Sequence, residues 1–101
     1  MPVTAVNKKA DAVEGRELSE EALDTLCRHL SLKKVQHPDA DSWNNVCLTL
    51  IHHSETAVSA GRALKYANAL FAALEFLKHF DTERAAVHLT AAQRLVERRM
   101  K

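Results

Sequence analysis

The sequence predicts an all-α fold, a small antiparallel four-helix bundle, on three observations. Residues 62–80 place Ala63, Leu64, Ala67, Leu70, Phe71, Leu74, Leu77 and Phe80 at the three-and-four spacing of one helical face. The 101 residues include only 2 Gly and 2 Pro, too few for the turns of an all-β fold. The apolar fraction is 47% against 27% charged, enough for one globular core, and Ala and Leu dominate it. The predicted helices are residues 18–35, 42–60, 62–80 and 82–100.

Residues 1–17 lack helical periodicity, and their charges cancel. They are expected to be a flexible N-terminal tail ahead of a single helical domain, 18–101. The first helix has Ser19 as its expected N-cap, with Glu20 and Glu21 at the positive end of the helix dipole. Its inner face reads Ala22, Leu23, Leu26, Cys27 and Leu30, and Lys33 and Lys34 fall in its expected last turn. The helix must stop before Pro38, because proline disfavours helical geometry in the residue ahead of it. Asp41 or Ser42 is the expected cap of the second helix, whose inner face carries Trp43, Val46, Cys47, Leu50, Ile51, Ala57 and Val58.

Gly61 separates the second and third helices if it is a left-handed residue ending the second. The competing arrangement is one helix over 42–80 in a dimer, since the apolar phase runs almost unbroken through the glycine. Equal helix lengths favour the break. The small residues Ser54, Ala57, Ala60, Gly61 and Ala63 imply tight packing within the bundle or a helix crossing in a homodimer. Asp81 or Thr82 is the expected cap of the fourth helix, whose inner face is Ala85, Leu89, Ala92, Leu95, Val96 and Met100. Phe71, Leu74, Leu70, Trp43 and Leu26 are expected among the most buried side chains.

Several functional classes are disfavoured. The net charge of +1 is unlike that of a protein acting mainly as a nucleic-acid neutraliser. No apolar run approaches a membrane span, and the first residues lack a signal-peptide core, so a cytoplasmic location is expected. Cys27 and Cys47 fall on apolar faces as buried reduced thiols. Within a single predicted helix, no two of His29, His37, His52, His53, His79 and His88 have ligand spacing, so no metal site is expected. No catalytic constellation, phosphate loop or cofactor motif is present, and the protein is expected not to be an enzyme.

The third helix is apolar beyond its core stripe, through Tyr66, Ala69, Ala73 and Phe76, with Ala72 beside them. A helix apolar on more than one side is central or covered by a partner. The expectation is therefore a non-enzymatic protein–protein interaction module, homodimeric or with a protein partner, using Tyr66, Ala69, Ala73 and Phe76. The alternative is a nucleic-acid-binding regulator in which Arg94, Arg98, Arg99 and Lys101 contact phosphates or an acidic partner. Cations at a helix C-terminus are also favoured by the dipole alone.

Overall fold

The computed structural model describes residues 18–99, and the Arg99 side chain is outside that description. The expected tail over 1–17 lies outside the described residues. Among the described residues four helices follow one another: α1 (Glu20–Ser31), α2 (Ala40–Glu55), α3 (Ala60–Lys78) and α4 (Thr82–Arg99). They form a small all-α bundle.

Local chemistry sets the boundaries. Ser19 caps α1, its Oγ accepting from the Ala22 amide at 3.1 Å. The helix ends earlier than expected, at Ser31. Lys33 takes the left-handed conformation (φ 57°), and the Lys33 and Lys34 amides donate back to the Leu30 and His29 carbonyls. This pair of bonds closes a Schellman terminus, so Lys33 and Lys34 lie beyond the last turn, which holds Arg28 and His29. Helix α2 is capped by Asp39 and not by Asp41 or Ser42; Oδ1 of Asp39 accepts from the Ser42 amide at 2.9 Å. The bonds from Ser42 hold the Asp39 carboxyl below the usual carboxylate range.

The break between α2 and α3 falls where a serine caps, four residues after α2 ends. Ser59 Oγ accepts from the Arg62 amide at 3.2 Å, and Ala60 opens α3. Gly61 is not left-handed; it lies inside the first turn of α3. Residues 42–80 are therefore two helices. Asp81 caps α4, as one of the two expected candidates, by accepting from the Arg84 amide at 3.0 Å.

Helix α3 is the hub, packing against each of the other three. Its buried set is Ala63, Tyr66, Ala67, Ala69, Leu70, Ala73, Leu74 and Leu77. The α2/α4 pair also touches, whereas the backbone of α1 lies against α3 alone. Ion pairs mark the register. Glu20 meets Arg62 and Asp24 meets Lys65, each at 2.6 Å, so α1 and α3 run parallel. Arg84 meets Asp41 at 2.9 Å and His88 meets Asn44 at 2.6 Å, so α2 and α4 run parallel. Ser54 of α2 meets Ala63 of α3 while Trp43 stacks on Phe76, so α2 and α3 run antiparallel and sequential neighbours alternate in direction. Each of these ion pairs is solvated and screened by water, so they mark register more than they add stability.

Small residues close the α2–α3 corner within the chain. The buried Ser54 hydroxyl donates to the Ala63 carbonyl at 2.9 Å, while Ala60 and Gly61 are exposed. Leu70, Trp43 and Leu74 are buried as expected. Phe71 and Leu26 are only partly buried, because both stand at the edge of their helices' covered arcs. Phe80 falls past the end of α3 and is exposed.

Candidate interaction surface

The four residues expected to meet a partner are placed inside the chain's own packing. Tyr66, Ala69 and Ala73 are buried in the core. Phe76 is partly buried and stacks on Trp43 at 4.5 Å between ring centroids and 3° between planes. The physical reason is the number of elements around α3. With α1, α2 and α4 all against it, an arc wider than one stripe is covered. The surplus apolar surface read from the sequence is therefore consumed internally at these positions.

What remains exposed lies elsewhere. A groove of about 250 Å³ runs between α3 and α4, lined by Phe71, Leu74, Ala85, Ala86 and Leu89, with Glu75, Lys78 and Thr82 at its lip. Leu89, expected in the core, is 39% exposed. The buried stripe of α4 runs through Ala85, Ala92 and Leu95, with the partly buried His88 in the same register. That stripe turns Leu89 onto the flank facing the groove. Val87 is also exposed. The signal for this surface was in the sequence, since Ala85, His88, Ala92 and Leu95 recur at three-and-four spacing. The polar His88 hid that register.

A wider and more polar groove, about 480 Å³, separates α1 from α3. Asp24, Arg28 and Lys65 line it, and Cys27 and Ala69 form part of its wall. Lys65 holds the Asp24 carboxyl below the usual carboxylate range through its hydrogen bond. Burial pushes the Cys27 thiol up. Cys47, wholly buried in α2, is pushed up to about 12 by the same cause. Neither thiol is electrostatically prepared to act as a nucleophile.

The histidines are distributed over the bundle. Nε2 of His53 accepts from the Leu18 amide at 3.0 Å. His88 shares a 2.6 Å bond with Asn44, and burial and Arg84 hold its pKa below the usual histidine value. His37 stands edge-on to Trp43. Among the described residues, no group of three His, Cys, Asp or Glu side chains could hold a metal ion, and no helix is long and apolar enough to cross a membrane.

Of the basic residues at the chain's end, Arg94 and Arg98 are exposed, one helical turn apart on α4. Arg99 is in the helix, and Lys101 lies outside the described residues. Comparison of the chain with family models, curated proteins and solved structures yields no match.

Proposed function

We propose that this chain is a non-enzymatic helical interaction module that pairs with a second copy of itself across the α3/α4 groove. The observation that carries the reading is the apolar groove of Phe71, Leu74, Ala85, Ala86 and Leu89. Two features favour a second copy as its occupant. A two-fold interface brings the same patch from both sides, so the patch must be self-complementary. Glu75 and Lys78 place one charge of each sign on the same lip, so that Glu75 of one copy can face Lys78 of the other. The net charge of +1 also leaves little repulsion between copies. The buried, high-pKa thiols support a non-enzymatic role and suit a reducing compartment, so a cytoplasmic location belongs to the same proposal.

Sedimentation equilibrium tests it. The wild type is expected to dimerise, and Leu89→Glu is expected to be monomeric with an unchanged circular dichroism spectrum. A wild type that stays monomeric at every attainable concentration, or a Leu89→Glu variant that dimerises equally well, overturns the proposal.

A second reading rests on Arg94 and Arg98, which share the exposed face of α4. As a nucleic-acid contact they would give binding that weakens steeply with salt. A gel shift at low salt, lost on changing Arg94, Arg98 and Arg99 together to Ala, is the expected result; no retention of any DNA or RNA ends that reading.

A further inference from the structure

We infer that the groove between α1 and α3 is a binding site for a peptide segment of a partner, about three extended residues long, that carries one carboxylate on a small apolar body. Two matched helix faces build it. From α1 come Asp24, Cys27, Arg28 and Ser31. From α3 come Lys65, Asn68, Ala69 and Ala72, at the same steps of three, four and seven. Residues at those steps share one helical face, and α1 and α3 run parallel, so the two strips face each other along the groove. Its volume, about 480 Å³, falls within the range of roughly 300–1,000 Å³ typical of small-ligand sites.

The charges in the groove select the ligand. Asp24 and Lys65 bridge it where both strips begin, at 2.6 Å. Beyond that bridge stands Arg28, which is exposed and has no ion-pair partner among the described residues. A guanidinium presents a planar fork of N–H donors that matches a carboxylate with two parallel bonds. With Asp24 engaged by Lys65, Arg28 is the surplus positive charge of the groove. That balance suits one carboxylate. A phosphate group, at about −1.5 to −2, would bring a larger negative charge to within a helical turn of Asp24.

The shape selects the rest of the ligand. Cys27 and Ala69 are buried and Ala72 partly so, which gives the groove an apolar floor of short side chains. Ser31 and Asn68 add a hydroxyl and an amide at its edges, both able to bond a peptide backbone. Seven helical steps at about 1.5 Å each make a groove of about 10 Å, the length of about three extended residues.

Nitrogen-15 NMR of the full chain, titrated with N-acetyl-trialanine, tests the inference; the free C-terminus of that probe is its single carboxylate. Resonances of Arg28, Ser31, Asn68 and Ala72 should move together and saturate with a Kd in the millimolar range, as befits a charge pair in contact with water. The C-terminal amide of the same peptide should bind roughly tenfold more weakly, and so should the acid to Arg28→Gln, a change at an exposed position. Asp24→Asn should bind the acid more tightly, because it removes the opposing charge and frees Lys65. Leu89→Glu, in the other groove, should bind as the wild type does, so this site stands or falls separately from the pairing proposed above. The inference is overturned by the absence of a saturable shift, by an amide that binds as well as the acid, or by unchanged affinity in Arg28→Gln. Weaker binding in Asp24→Asn or lost binding in Leu89→Glu also overturns it. So does sodium acetate or inorganic phosphate binding at these residues as tightly as the peptide, since the groove would then be a simple anion contact.

Discussion

Lys33 and Gly61 occupy each other's natural backbone. Lys33 sits at φ 57°, a conformation in which a side chain crowds the following carbonyl. Gly61 sits in ordinary helical backbone, where an added Cβ would meet only Ser59 Oγ at 4.0 Å. Lys33→Gly should therefore raise stability by about 0.5–1 kcal/mol, because glycine enters this region without a Cβ penalty. Gly61→Ala should raise it by about the same amount, since alanine loses less chain entropy on entering a helix. Thermal unfolding checks both, with a rise of a few degrees expected for each. The buried Ser54 acts in the opposite direction. Removing its hydroxyl in Ser54→Ala should cost about 0.5–1.5 kcal/mol, because the bond to Ala63 across the α2–α3 corner is lost. A stability unchanged in Ser54→Ala would show that helix packing alone holds the corner.

The polar seam between α2 and α4 makes stability depend on pH. His88 is partly covered and bonded to Asn44, and burial followed by the Arg84 charge lowers its pKa in the folded chain. The unfolded chain then binds the proton more readily than the folded one. In the window just below the ordinary histidine value of about 6.5, stability therefore falls as pH falls. Above that window the contribution is fully present. Urea unfolding at mildly acidic and neutral pH should show this loss in the wild type, and His88→Gln should reduce it. An identical pH dependence in the variant would assign the effect to other groups. The same histidine explains what the sequence could and could not reveal. Helix number and order were legible from apolar spacing, and the Ser19 and Asp81 caps from residue type. The caps at Asp39 and Ser59 were missed because several polar residues stood in line and only backbone geometry selects among them. The α3/α4 groove was missed because His88 sits within the buried register of α4, and an apolar-only reading put Leu89 in its place. Tyr66, Ala69 and Ala73 were read as surplus because sequence does not count how many neighbours a helix has.

At the scale of the molecule, one side chain ties three parts of the chain together. Trp43 of α2 is 1% exposed, stacks on Phe76 of α3 and receives the edge of His37 from the α1–α2 connection at 4.8 Å. Much of the remaining core is small, since Ala63, Ala67, Ala69, Ala73, Ala85 and Ala92 bring backbones close without adding much apolar area. Large side chains therefore carry a disproportionate share of the burial. Removing an aromatic of this size from a core costs about 3–5 kcal/mol, through lost transfer energy and the cavity left behind. Whole domains are stable by only about 5–15 kcal/mol. Trp43→Ala should thus leave the bundle close to its unfolding threshold, while Trp43→Phe, which keeps a ring against Phe76, should lose distinctly less. Far-UV circular dichroism in urea reads both variants without depending on the chain's single tryptophan. A Trp43→Ala midpoint close to that of the wild type would mean that the alanine-lined contacts around α3 hold the fold without it.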